Sequence, residues 1–205
     1  MTKGVRTIDN IKRFQKTPLG SSLTQEELEK TVFALESQIA ENGRLSVEAG
    51  GRGIEKLPGV TELLRKLEAG GARYGIVTSA TKYYADSALK TAAMPQFPFY
   101  ITADVCTHGK PHPEPYLNGI EKLKQLAGPT FAPNDVLVFE DAPSGLASGL
   151  AAGCRTLAVC TGQTEERIRA TPASYKVRDL SQVDVLSVVE GVITLRLHML
   201  EELAN

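Results

Sequence analysis

Two hydrophobic rhythms divide the chain. Up to about residue 55 the apolar positions recur at helical spacing among polar ones, and this part contains no convincing strand. Thr24-Gln25-Glu26-Glu27 is a capping box, in which hydroxyl and carboxylate satisfy each other's backbone amides, and it opens an amphipathic stretch expected to run through Ile39. Gly50-Gly51-Arg52-Gly53 reads as a linker. From Pro58 the rhythm changes. Helical stretches at Leu63 to Ala69, Lys82 to Ala92, Pro113 to Leu126 and Ser144 to Ala152 alternate with short β-branched or aromatic runs. Those runs are Tyr74 to Thr78, Phe99 to Thr102, Val136 to Phe139 and Thr156 to Val159. The alternation predicts βαβ units, hence an α/β fold with a Rossmann-like parallel sheet and helices on both faces. The expected organisation is a helical segment over 1–55 and an α/β core over 56–205.

Composition narrows the function classes. At 205 residues, 42% hydrophobic and 23% charged, the chain reads as one soluble domain or one with a small appendage. With 23 Lys+Arg against 24 Asp+Glu there is no field to gather polyanions or anionic lipid, so nucleic-acid and membrane-surface partners are disfavoured. Cys106, Cys154 and Cys160 have no metal-ligand spacing and are expected to be reduced, in a cytosolic or nuclear compartment. No apolar run approaches the ~18 residues of a membrane span, and Met1 to Arg13 lacks the apolar stretch of a secretory signal.

Ligands of open parallel sheets bind beyond the carboxyl ends of the strands, so the residues after each strand are the candidate site. After YGIVT come Ser79, Ala80 and Thr81, a hydroxyl and a run of backbone N–H groups opening a helix, suited to an anion; Ser79 reads equally as a helix cap. After the next strand comes Gly109-Lys110-Pro111-His112-Pro113-Glu114-Pro115-Tyr116. Its prolines restrict the backbone around Lys110, as a preorganised cation for a phosphoryl group requires, though a surface lysine in a stiff turn is the plainer alternative. His112 reads as a loop residue, since neither of the other two histidines is spaced to cooperate with it. After VLVF come Glu140 and Asp141. Adjacent carboxylates at a strand end repel unless something positive lies between them, and a hard cation such as Mg²⁺ is the obvious candidate. Gly145, Gly149 and Gly153 predict close helix packing. No GxGxxG follows a strand into a helix, which disfavours a dinucleotide enzyme.

Hydroxyl, lysine and carboxylate pair, in that order at successive strand ends, resemble the haloacid dehalogenase-like hydrolase superfamily. IVTSAT is similar to its second motif, GKPHPEPYL to its third and VFEDAPSGLASGLAAG to its fourth; GKPHPEPY followed by FEDAPSG looks most like the glycerol-3-phosphatase and 2-deoxyglucose-6-phosphatase branch. GVRTIDNI, residues 4 to 11, resembles a substrate-contacting cap segment. The resemblance implies a partial helical cap over 1–55 and a phosphatase for a small phosphorylated sugar or polyol. It assigns Ser79 and Lys110 to catalysis, Arg6 and Ala80 to substrate, and Glu140 and Asp141 to Mg²⁺. Lys3 stands where related segments tend to carry a histidine.

In the family an aspartate attacks phosphorus, and a second aspartate two residues later handles the leaving-group proton. Both lie in a first motif of the form DxDGT, absent from this sequence; Asp9, Asp104 and Asp135 are isolated. The expectation is therefore a core lacking its first, central strand, truncated at the N-terminus and inactive as it stands. Losing that strand would cost about 1–3 kcal/mol for each buried group left unpaired. A catalytically dead binding or regulatory protein is the alternative.

Overall fold

A computed structural model describes residues 4–17, 20, 22–128 and 131–200; Lys3 lies outside them. The first two helices are α1 (Thr7–Gln15) and α2 (Gln25–Glu48). The capping box forms as expected, Thr24 Oγ1 accepting from Glu27 N at 3.3 Å and Glu27 Oε2 accepting from Thr24 N at 2.8 Å. The helix continues well past Ile39, through Asn42 and Gly43. Tertiary packing overrides the poor local propensity there, because a Cβ on Gly43 would lie 3.2 Å from Ile54, which covers that turn. Gly50, at φ +76°, turns the chain back, and Ser46 Oγ donates to Arg52 O at 2.6 Å. The expected linker is thus a return packed on the end of α2.

Each strand and helix expected between Pro58 and Val159 is present: α3 (Val60–Ala69), β1 (Ile76–Val77), α4 (Lys82–Thr91), β2 (Tyr100–Ile101), α5 (Glu114–Ala127), β3 (Leu137–Glu140), α6 (Pro143–Ala151) and β4 (Arg155–Val159). Beyond them lie α7 (Glu165–Arg169), β5 (Tyr175–Val177), β6 (Val183–Val189) and β7 (Val192–Leu197), which the reading above does not anticipate. The hairpin β6–β7 has a local signature all the same. Two β-rich runs flank Glu190-Gly191, both at positive φ (50° and 81°), the two-residue turn whose twist suits antiparallel strands.

The parallel sheet is in two pieces. β1 pairs with β2, and β3 with β4 and β4 with β5, all in parallel register; among the described residues no strand joins β1 to β3. Peptide groups alternate edges along a strand. Ile76 N and Thr78 N donate to Phe99 O and Ile101 O of the β2 side, so Val77 turns its N–H and C=O to the opposite, open edge. Arg155 N donates to Val136 O, so by the same alternation Leu137 and Phe139 face the open edge of β3. This is the gap that a core without its first strand would have.

Side chains of β3 and β4 alternate between the two faces of the sheet. Leu137, Phe139, Leu157 and Val159 pack with Leu63 of α3 and Val183 of the hairpin. Val138 packs with Tyr116 and Ile120 of α5, and Ala158 with Leu146 of α6 and Ile168 of α7. Helix α6 lies close on the sheet because Gly149 leaves room: a Cβ there would come within 3.1 Å of Thr156 and 3.2 Å of Val138. Gly153, at φ +82°, makes the turn after the helix.

Candidate active site

The open edges of β1 and β3 face one cavity of about 650 Å³. Ser79 and Ala80 line it from the end of β1, Glu140 and Asp141 from the end of β3, and Lys110 from the proline-rich loop. Five of the six residues singled out from the sequence therefore meet. Arg6 is not among the lining residues. Its guanidinium grips Asp9 (2.7 and 3.2 Å) and donates to Cys106 O at 2.9 Å. Its stem lies over Gly109, where a Cβ would come within 2.5 Å of Arg6 Nε. Arg6 thus braces the loop next to Lys110.

Lys110 is buried, its side chain only 4% exposed, and all three ammonium protons have acceptors: Val77 O at 2.9 Å, Tyr116 Oη at 3.1 Å and Glu140 Oε1 at 2.5 Å. The ammonium also sits 4.7 Å from the centre of the Tyr116 ring. Tyr116 in turn donates to Glu140 Oε1 at 2.7 Å; burial first, and then the Glu140 charge, push its phenol well above the ordinary tyrosine range. The other Glu140 oxygen accepts from Asp141 N (3.2 Å) and Ala142 N (3.3 Å) at the start of α6. The positive charge beside Glu140 is therefore the Lys110 ammonium. Gly145 makes this possible, since a Cβ there would lie 2.0 Å from the Glu140 carboxyl carbon. Asp141 lines the cavity and takes a 3.5 Å bond from Thr161 Oγ1.

The helix that follows Ser79 is capped by Thr81, whose hydroxyl accepts from Tyr84 N, and not by Ser79. Ser79 Oγ donates to Gly4 O at 2.8 Å, and Ala80 N donates to Thr78 Oγ1 at 3.1 Å. Two carboxylates already occupy the start of α4: Thr81 N donates to Glu36 at 3.2 Å and Lys82 N to Asp104 at 2.5 Å. Glu36 is the residue that the sequence reading missed. It projects from α2, accepts from Thr7 Oγ1 (2.7 Å) and from the Thr81 hydroxyl, lines the cavity, and is only 5% exposed. A signal was present: Leu28, Val32, Glu36 and Ala40 form the buried four-residue stripe of α2, and a charge on such a stripe implies a polar partner across the interface.

The isolated aspartates all have structural partners. Asp9 is held by Arg6, Asp104 takes the Lys82 amide, and Asp135 accepts from Ala132 N at 2.8 Å. None of the three lines the cavity.

Glu114 fixes the loop that carries Lys110. It accepts from Thr107 N (2.6 Å), His108 N (2.9 Å) and the His108 ring (2.9 Å). These bonds, the His108 amide foremost, lower its pKa from 4.5 to about 2. A carboxylate whose pKa is lower in the folded state stabilises the fold above its unfolded value and ceases to do so as pH falls through its folded one. The stability gap between the parent and Glu114→Gln should therefore be constant above pH 4.5 and shrink toward pH 2. Thermal midpoints measured across that window check this; a gap independent of pH would show the bonds are absent in solution.

Parallel strands with their polar residues gathered around one cavity at the carboxyl ends define an α/β protein of the ligand-binding, open-sheet kind. Residues 8–159 match the family of haloacid dehalogenase-like hydrolases, and the chain belongs to that family. It is 37% identical over 139 residues to hexitol phosphatase A of Escherichia coli, an alignment covering 68% of this chain and 61% of that protein. It is 33% identical over 163 residues to glycerol-1-phosphate phosphohydrolase 2 of Saccharomyces cerevisiae, covering 78% and 59%. The yeast 2-deoxyglucose-6-phosphate phosphatase 2 is 30% identical over 182 residues, covering 82% and 70%. The chain thus spans about three fifths of the length of the first two relatives. In fold it is similar to CbbY of Rhodobacter sphaeroides, with a TM-score of 0.69 at 17% identity over 87% of this chain and 75% of that one. Among the described residues no helix is long and apolar enough to cross a membrane, and the three cysteines are free.

Proposed function

We propose that this chain supplies the lysine and cation side of a phosphatase acting on small phosphorylated sugars or polyols, and that the nucleophilic aspartate comes from a strand lying between β1 and β3. The observation that carries this reading is the cavity itself: two open parallel edges, with Ser79 and Asp141 at their ends and Lys110 reaching in from the proline-rich loop. The relatives named above support the substrate class. The helical segment over 1–55 is the cap in this reading, with Glu36 joining it to the core.

Asp141 is suited to Mg²⁺, which takes few protein oxygens and keeps its waters; once bound, the ion would offset charge on the phosphoryl oxygens. Glu140, already engaged by Lys110, positions that lysine, and Arg6 steadies its loop. A phosphoryl oxygen is a charged acceptor, stronger than the Gly4 carbonyl that now takes the Ser79 proton. The lysine has a comparable reserve. Val77 O faces the open edge, where a strand amide would pair with it and release one ammonium proton toward substrate.

The sequence has no DxDGT motif, so the 205-residue chain with Mg²⁺ should release phosphate from glycerol phosphates and hexitol phosphates at background rate. Extended at its N-terminus by a strand ending in Asp-x-Asp, it should turn over, and chelation or Asp141→Asn should remove the turnover. Magnesium-dependent hydrolysis by the unextended chain would overturn the reading. A folded but inactive extended chain would favour a binding or regulatory role.

A further inference from the structure

His108 and His112 were not expected to cooperate, yet the proline-rich loop stacks their rings with centroids 4.5 Å apart and planes 31° from parallel. Glu114 completes the group: one ligand atom from each of the three residues lies within 4.8 Å of the other two. None of the three lines the cavity that holds Asp141, so this cluster lies on another face of the loop that carries Lys110.

The donor set has a definite chemistry. Glu114 is fixed by the Thr107 and His108 amides with its Oε2 2.9 Å from His108 Nδ1, so a cation held by both atoms would take the place of the proton between them, and the His108 N–H would then stand at Nε2. His112 Nδ1 stands 4.0 Å from Glu114 Oε2 and accepts from Glu114 N at 3.2 Å, a bond it would give up to ligate. The side chains of His108 and His112 are 62% and 49% exposed, so a hydrated cation reaches both rings from solvent. Two imidazoles and a carboxylate suit Zn²⁺, Cu²⁺ or Ni²⁺, whereas Mg²⁺ selects all-oxygen sites. We infer that His108, His112 and Glu114 form a binding site for a borderline-soft divalent cation of the Zn²⁺ type, separate from the cavity beside Lys110.

Calorimetric titration of the untagged, chelator-treated chain with ZnCl₂ tests this, with Co²⁺ absorption in the visible as an independent readout. The expected result is one saturable site whose affinity falls at least roughly tenfold in His108→Ala and in His112→Ala. Asp141→Asn and His198→Ala should leave it unchanged, and excess Mg²⁺ should not compete. Absence of saturable binding would overturn the site, as would binding indifferent to both histidine changes or abolished by Asp141→Asn. The readout is cation affinity and not turnover, and neither histidine lines the cavity, so loss of this site and loss of the phosphatase reading are told apart.

Discussion

Lys110→Met should destabilise the chain by about 3–5 kcal/mol, because it leaves the Glu140 carboxylate buried with no counter-charge. The side chains are only 4% and 9% exposed, so water offsets little of the lost ammonium charge. Tyr116 and the two amides at the start of α6 remain as donors to Glu140, but they are dipoles and do not neutralise it. For a domain of this size the loss corresponds to a fall of roughly 6–20 °C in thermal midpoint. Adding Glu140→Gln should recover much of it, since a neutral amide in the same place needs no counter-charge. Equilibrium denaturation of the two single variants and the double variant gives the coupling directly. A cost below about 1 kcal/mol for the first change would place the pair in the class of solvated surface bridges and remove the argument for a preorganised lysine.

The second large effect is expected from the smallest change. Gly145→Ala puts a methyl carbon where the Glu140 carboxyl carbon stands, 2.0 Å away. The atoms it meets are all of the Glu140 carboxylate, so the carboxylate must move, and that disturbs its bonds to Lys110, Tyr116 and the α6 amides. Overpacking of this kind costs about 1–3 kcal/mol, and the weakened contact with Lys110, which stays as counter-charge, adds to it. Gly149→Ala on the same helix is the control. Its nearest neighbours are methyl groups of Thr156 and Val138 at 3.1 and 3.2 Å, which can give by a few tenths of an ångström, so its cost should stay near 1 kcal/mol. Equal costs at the two glycines would mean that Gly145 serves only general packing.

Much of this was open to reading from residue order. The strands are bounded by glycine, proline and helix caps, so their positions follow from local chemistry, and the parallel arrangement follows from their alternation with helices. The hairpin β6–β7 was legible too, in Glu190-Gly191 between two β-rich runs, but its signal is a turn and not a βαβ repeat. Other features had no local signature. Ser79 and Thr81 are equally good caps in sequence, and only the path of the backbone gives Thr81 the role and turns Ser79 toward Gly4. Glu36 shares a four-residue stripe with Leu28, Val32 and Ala40, but its partners Thr7 and Thr81 are settled only when α2 is laid against α1 and α4.

The sequence by itself determined the elements, the parallel α/β core and the polar residues at its strand ends, because those depend on spacing and on turn and cap chemistry within a few residues. Tertiary structure alone decided who pairs with whom. It set Lys110 on Glu140 rather than in solvent, Arg6 on Asp9, and His108 against His112; it also left β1 and β3 facing each other across a cavity. Each of these depends on segments brought together through space, where burial makes an unpaired charge costly and so selects one partner among many that the sequence would allow.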